Sequence, residues 1–196
     1  LPHYSGVSFR ISKFNEGGDI QSVKKEFFEG MQPYAYGTND DTIERKLGQQ
    51  LIKKKLTIAV AESCTGGLVG KRLTDTAGSS NYFLGSITAY CNELKMSLLN
   101  IPNKTLSIHG AVSEKIALEM ANQIRHKTKA DIGLSTTGIS GPEGGTPEKP
   151  VGLIYIGLVT PTKSIVKRYI LHSDRNIHRE MATITALNIT RLSLED

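Results

Sequence analysis

The stretch Ala61-Glu62-Ser63-Cys64-Thr65-Gly66-Gly67 constrains the fold of this chain more than any other. An apolar, β-branched run, residues 56–60, leads into it, and an amphipathic segment, residues 68–73, leads out. The order predicts strand, tight turn, helix. Two glycines let the backbone come close to a ligand and open the helix without a side-chain clash. Thr65 is the expected N-cap. The free N–H groups of the helix start are then expected to point towards Ser63, ready to hold an anion or a developing oxyanion. The functional reading is a hydroxyl nucleophile beside an anion site. The alternative is a capped turn that buries Ser63 and Cys64 for packing alone.

The rest of the chain repeats the strand–helix alternation. A leader over residues 1–37 predicts a half-exposed strand at 6–13, a turn at Asn15-Glu16-Gly17-Gly18, and an amphipathic helix at 19–31 capped by Asp19. One strand and one helix cannot make a core, so this piece is expected to belong to a larger α/β unit or to pack on another copy. A polar linker at 36–41 follows, then a helix from Thr42 to Lys55. Beyond the central turn, strands are predicted at 82–90, 131–136, 151–159 and 164–171. Helices are predicted at 92–100, capped by Asn92, at 114–127, capped by Ser113, and at 175–192, capped by Asp174. Ile101-Pro102-Asn103 reads as a break. The last two strands, joined at Pro161-Thr162, fit an antiparallel pair. The pattern predicts an α/β fold, a three-layer α/β/α sandwich around a mixed sheet, with a small N-terminal strand–helix appendage. The Ser63 turn, the 90–95 segment and the glycine-rich loop at 138–145 all fall where strands end and helices begin, the place where such sheets gather their sites.

Composition narrows the function classes. The chain has 196 residues, enough for one good core and an appendage. It has two cysteines, Cys64 and Cys91, and no CxxC pair, which reads as a reduced, cytoplasmic protein without a disulfide framework. No apolar run approaches membrane-spanning length and no signal peptide opens the chain. It begins with Leu1, which suggests that another segment precedes it. The net charge of +5 is mild and interspersed, so it favours an anionic substrate without arguing for nucleic acid. His172, His178 and Glu180 lack helical metal-ligand spacing, so neither metal nor cofactor is expected.

A serine needs a base to become a nucleophile. Tyr90-Cys91-Asn92-Glu93-Leu94-Lys95 offers one. With Lys95 in the first turn of a helix, its ammonium faces the positive end of the macrodipole, and partial burial disfavours the charge further. Lys95 is expected to activate Ser63 directly or through the Tyr90 hydroxyl. Cys64 is the better intrinsic nucleophile, and strand alternation leaves open which of Ser63 and Cys64 faces the pocket. The string Ser164-Ile165-Val166-Lys167 sits in a strand, which cannot bring its ends together. Five glycines within residues 137–152, with Ser140, Thr137 and Lys149, can wrap a phosphate with backbone N–H groups. Arg175 and Arg179 open the last helix and can pair with an anionic group.

Four ordered motifs now combine: residues 61–67, residues 90–95, His109-Gly110-Ala111-Val112-Ser113, and residues 138–145 with Lys149-Pro150-Val151-Gly152. Together they resemble the C-terminal domain of the CinA family, the PncC-type nicotinamide-nucleotide amidohydrolases, over about residues 42–194. The leader resembles the end of the KH-like linker of full-length CinA proteins. Two domains are thereby implied, 1–37 as partial linker and 38–196 as the amidohydrolase domain, with a further N-terminal domain before them. The linker lacks a GXXG loop, so RNA binding does not carry over. The resemblance implies hydrolysis of the carboxamide of nicotinamide mononucleotide to nicotinate mononucleotide and ammonia, by a Ser-Tyr-Lys set at Ser63, Tyr90 and Lys95. It favours Ser63 over Cys64. The implied substrate-binding residues are Thr65, Gly66, Gly67, Asn92, Thr137, Gly138, Ser140, Gly141 and Arg175, with the phosphate at the second glycine loop or near Arg175. The expected partners are a small-molecule nucleotide and further copies of the chain in a homodimer or higher homo-oligomer. A non-catalytic regulatory module of a competence- or damage-inducible protein is the alternative from the same resemblance.

Overall fold

Strand β3 (Ile58–Glu62) is buried at every position, as a central strand covered on both faces must be. Its side chains alternate. Ile58 and Val60 join the core formed with helices α2 (Ile43–Lys54), α3 (Leu68–Thr74) and α7 (Arg175–Ser193), whereas Ala59 and Ala61 join the core that contains Ile116, Met120 and Ile124. In this computed structural model, which describes residues 2–3, 6–13, 19–39 and 41–195, a five-stranded sheet runs in the order β4-β3-β5-β6-β7. Strand β4 (Phe83–Thr88) and strand β5 (Ile132–Gly138) flank β3 in parallel. Strands β6 (Leu153–Val159) and β7 (Ser164–Ile170) extend the sheet antiparallel. Helices cover both faces of this mixed sheet, as the alternation predicts.

The covering helix α6 (Glu114–Thr128) lies very close to the sheet. A Cβ at Gly133 or Gly157 would fall within 3.0 Å of the Ala121 or Ala117 carbonyl oxygen, so only glycine fits there. Ser135, two residues beyond Gly133 and directly opposite Gly157, donates its hydroxyl to the Ala117 carbonyl at 2.6 Å. Helix starts follow the local signals. Asp19, Thr42, Ser113 and Asp174 each cap a helix with a side-chain oxygen.

Two expectations are corrected and a third is refined. Thr65 does not cap α3: the N-cap is Gly67, in the left-handed region at φ 97°. Cys91, not Asn92, is the N-cap of α4 (Asn92–Leu99). The break expected at Ile101-Pro102-Asn103 is present, since α4 ends at Leu99, but it leads straight into a short helix, α5 (Asn103–His109), with Pro102 at its N-cap, that the sequence reading missed. Proline is well tolerated at a helix entrance because its missing N–H is not needed there.

In the leader, the strand expected over 6–13 is only Gly6–Val7 (β2), paired antiparallel with Pro2–His3 (β1). The expected helix is α1 (Ile20–Gly30), in which no residue is buried. The turn expected at Asn15-Glu16-Gly17-Gly18 lies outside the described residues, as do Leu1 and Asp40. The leader is bolted to the domain by Arg191 on α7. Its guanidinium is buried, donates to the Pro33 carbonyl at 2.8 Å, and stands 6.0 Å from the centre of the Tyr36 ring. No described helix is long and apolar enough to cross a membrane.

Candidate active site

The parallel strands β3, β4 and β5 end at one edge of the sheet, and each runs into a segment that the sequence singles out. From β3 comes Ser63, anchored by its N–H donating to the Thr136 carbonyl at 3.0 Å. From β4 comes Ala89-Tyr90, tied back by the Ala89 N–H donating to the Glu62 carbonyl at 2.9 Å. The hydroxyl of Ser63 and the amine of Lys95 meet there at 3.1 Å. Lys95 is only 1% exposed. Its Nζ also donates to the Ala89 carbonyl at 2.9 Å and the Tyr90 carbonyl at 3.0 Å. A neutral amine has two hydrogens and one lone pair. In that form the two carbonyls take the hydrogens and the lone pair faces the Ser63 hydroxyl, whereas as an ammonium Lys95 donates to all three oxygens. Burial pushes the Lys95 pKa down, against smaller opposing contributions from Cys91, Cys64 and Glu93. This is the environment of a general base.

Ser63 and Cys64 face opposite ways. Ser63 continues the side of Ala59 and Ala61, towards Leu99 and Lys95. Cys64 is buried in the other core, and desolvation pushes its thiol up to about 12. A thiol held there is no nucleophile at neutral pH.

The start of α3 is occupied from within, which corrects the expectation that its N–H groups face Ser63. Glu62 is fully buried, and its carboxylate accepts from the N–H groups of Gly67, Val69 and Gly70 at 2.9–3.1 Å and from the Thr65 hydroxyl at 2.6 Å. Gly66 is exposed, and its N–H turns back to the Ser63 carbonyl at 3.1 Å. The anion that the glycine turn was built to hold is the chain's own.

Tyr90 reaches the site through its backbone. Its carbonyl fixes Lys95, while the phenol is exposed and accepts from Arg175 Nη2 at 3.1 Å. Arg175 Nη1 donates to the Gly141 carbonyl at 2.9 Å, so one guanidinium spans the Tyr90 segment and the second glycine loop. Arg179, one turn along α7, donates to the Thr65 carbonyl at 3.0 Å. Asn92 lies exposed at the first turn of α4.

The second loop is tied down at its base. The Thr137 hydroxyl donates to the Ala111 carbonyl at 2.7 Å, and the Lys149 amine donates to the His109 carbonyl at 3.2 Å. Gly138 has room for no side chain: an added Cβ would be 2.6 Å from the Leu153 carbonyl and 3.1 Å from the Cys64 sulfur. Ser140 is turned inward, 2.9 Å from Nδ1 of the fully buried His178. Burial lowers the His178 pKa, which favours the neutral ring, and the ring tautomer sets which of Ser140 Oγ and His178 Nδ1 donates. Residues 142–148 are exposed. The three side chains weighed as metal ligands are separately engaged: His172 Nδ1 accepts the Asp174 N–H, His178 holds Ser140, and Glu180 pairs with Arg72 at 2.9 Å.

Two buried polar residues beside the site escaped the sequence reading. Glu62 was visible as the lone acid at the end of an apolar strand, a position that satisfied charge rarely occupies without reason. His178 gave no usable signal beyond its residue type.

The sequence and fold recur in known proteins. The family model of the CinA C-terminal domain matches residues 40–194. A CinA-like protein of Dictyoglomus thermophilum is 46% identical over 175 residues, which are 89% of this chain and 43% of that protein. A CinA-like protein of Salinibacter ruber is 40% identical over 198 residues, covering 99% of this chain and 48% of that one. The chain thus spans less than half the length of these relatives. Among solved structures, the competence/damage-inducible protein CihA of Agrobacterium tumefaciens superposes with a TM-score of 0.73 at 31% identity, over 82% of this chain and 100% of that one. A CinA superfamily protein of Escherichia coli does so with a TM-score of 0.73 at 28% identity, over 80% and 94%. Sequence, fold and family model agree: the chain belongs to the CinA family, and residues 40–194 are its C-terminal domain.

Proposed function

We propose that this domain hydrolyses the carboxamide of nicotinamide mononucleotide, giving nicotinate mononucleotide and ammonia. The observation that carries the proposal is the 3.1 Å contact between the Ser63 hydroxyl and a buried Lys95 amine whose other two partners are carbonyls. Ser63 Oγ bonds to the amide carbon while its proton passes to Lys95 Nζ, and the carbonyl electrons move onto oxygen. When the tetrahedral intermediate collapses, the C–N bond breaks and Lys95 returns the proton to the leaving nitrogen, which departs as ammonia. Water then adds to the acyl ester, gives a proton to Lys95, and displaces Ser63 Oγ, which takes that proton back. The N–H groups of Gly67, Val69 and Gly70 are committed to Glu62, which removes the start of α3 as the oxyanion site.

Arg175 supplies the anion preference. It is exposed, sits at the rim between Tyr90 and Gly141, and keeps donors beyond the two in use. Tyr90 serves from both ends, holding Lys95 by its carbonyl and lining the entrance with its phenol beside Arg175.

The test is ammonia release from nicotinamide mononucleotide by the wild type, by Ser63→Ala and by Arg175→Ala. The proposal expects activity in the wild type and none in Ser63→Ala with the fold retained. In Arg175→Ala, KM should rise about 10-fold or more, consistent with loss of a charge-assisted contact. For nicotinamide riboside, which lacks the phosphate, KM should barely change. A wild type that releases no ammonia from nicotinamide mononucleotide refutes the proposal and favours a non-catalytic regulatory role.

A further inference from the structure

We infer that Glu62 is a positioning residue for the nucleophile: an internal anion that fills the glycine turn and fixes Ser63 against Lys95. The activity arm of this inference rests on the proposed reaction, but the geometry does not. Glu62 is fully buried and four donors converge on it, three backbone N–H groups and one hydroxyl, none of them a cation. Both oxygens act only as acceptors, the pattern of a carboxylate.

The same residue holds both halves of the dyad. Its carboxylate clamps the turn that follows Ser63, and its backbone carbonyl accepts the Ala89 N–H at 2.9 Å. Ala89 in turn presents its own carbonyl to Lys95 Nζ. A second strand joins the clamp. Thr65 has a single hydroxyl proton, and at 2.6 Å it goes to Glu62. The 2.8 Å contact between Thr65 Oγ1 and Thr136 Oγ1 must therefore run from Thr136 to Thr65. Thr136 also receives the Ser63 N–H on its carbonyl. The relay Thr136 to Thr65 to Glu62 thus closes a ring of hydrogen bonds around the nucleophile. The glycines at 66 and 67, with φ of +62° and +97°, are what let the turn fold its N–H groups inward onto this carboxylate.

Position 62 tolerates no donor, because Gly67 and Val69 address one oxygen and Gly70 the other. Glu62→Gln keeps the shape yet sets an NH₂ against at least one N–H. The experiment compares the wild type, Glu62→Gln, Thr65→Val and Thr65→Ser. It uses two readouts, ammonia release and the rate at which a fluorophosphonate labels Ser63, followed by mass spectrometry. Labelling reports the dyad whether or not nicotinamide mononucleotide is the substrate, so failure of the proposed reaction is told apart from failure of this inference.

Glu62→Gln is expected to lower kcat and the labelling rate about 100-fold, the scale set by misplacing a reacting group by about 1 Å. KM should stay within about threefold. The acid limb of labelling against pH should move upward as the loosened turn admits water to Lys95, a change that lost stability alone would not produce. Thr65→Val should lose about 10-fold and Thr65→Ser should recover most of it, because only the hydroxyl is used. A folded Glu62→Gln that labels within threefold of the wild type overturns the inference. If Glu62→Gln does not fold, the threonine pair decides: Thr65→Val labelling at the wild-type rate overturns the inference, and a loss restored by Thr65→Ser supports it.

Discussion

Lys95→Met is the sharpest probe of the site because methionine keeps the length and the apolar stem while removing the lone pair. The amine is 1% exposed and makes three contacts, with the Ser63 hydroxyl and with the carbonyls of Ala89 and Tyr90. In the proposed reaction it takes and returns a proton in both half-reactions, and a positioned base contributes about 10²- to 10⁴-fold. A loss of about 10³ in kcat, close to 4 kcal/mol of barrier, is the expectation. Stability should respond far less. Two amine–carbonyl hydrogen bonds are lost, at about 1 kcal/mol each, and a buried amine is no longer desolvated. These nearly offset, so Tm should move by no more than about 4 °C. The pH dependence is the second signature. Burial holds the Lys95 pKa below the ordinary value of 10.5. The base form is therefore present above the lowered pKa, and wild-type activity is lost as pH falls through it. The unfolded chain binds that proton more tightly, so wild-type stability rises with pH between the lowered value and the ordinary one, a slope that Lys95→Met should erase. The assay is ammonia release across pH, with thermal melts in the same buffers. Retention of more than a tenth of wild-type kcat by Lys95→Met, with Ser63→Ala inactive, refutes Lys95 as the base.

Three further outcomes follow from the packing. Gly133→Ala places a Cβ inside contact distance of the Ala121 carbonyl, and α6 must shift; a loss of at least about 2 kcal/mol is expected in urea unfolding. His178 is buried neutral with a lowered pKa, so the unfolded state takes up its proton first on acidification; stability should be constant above the ordinary histidine value of 6.5 and fall below it, and His178→Asn should flatten that fall in chemical melts. Iodoacetamide in native buffer should modify exposed Cys91 and spare Cys64, whose thiol is buried and pushed up to about 12; peptide mapping reads the ratio, and equal labelling would refute the assigned orientation of the turn.

The parts of this fold written in the sequence are those governed by near neighbours. Asp19, Ser113 and Asp174 each cap the helix they are expected to cap, since an N-cap needs only its own side chain and the next two or three N–H groups. Short apolar runs bounded by turns mark the central strands β3 and β5 of the main sheet. The glycine turn also ran to local rules, and misled for that reason. A Gly-Gly helix start signals an anion, but local sequence does not say whose, and Glu62 supplies it from one residue before Ser63. Thr65, just before the glycines, has the side chain of an N-cap; in the fold it serves Glu62 as a side-chain donor instead. The helix at 103–109 was hidden because Pro102 breaks one helix and admits the next equally well. Nothing local could place Arg175 beside Tyr90 or His178 beside Ser140. Those contacts join residues 85 and 38 positions apart, and they exist only because α7 returns across the ends of the sheet.

The placement of the acid and the hydroxyl on successive residues has a further physical consequence. Along β3 neighbouring side chains leave on opposite faces. Glu62 therefore departs with Ile58 and Val60 towards α3, and Ser63 with Ala59 and Ala61 towards Lys95. A carboxylate on the Lys95 side would stabilise the ammonium and raise its pKa, which would silence the base at neutral pH. Burial outweighs every opposing contribution at Lys95, and Glu62 is not among those contributions. One strand thus carries an acid next in sequence to the nucleophile, uses it to set the turn, and sends it to the face opposite the amine. Moving that acid by a single residue would keep the composition of the motif and reverse its electrostatics.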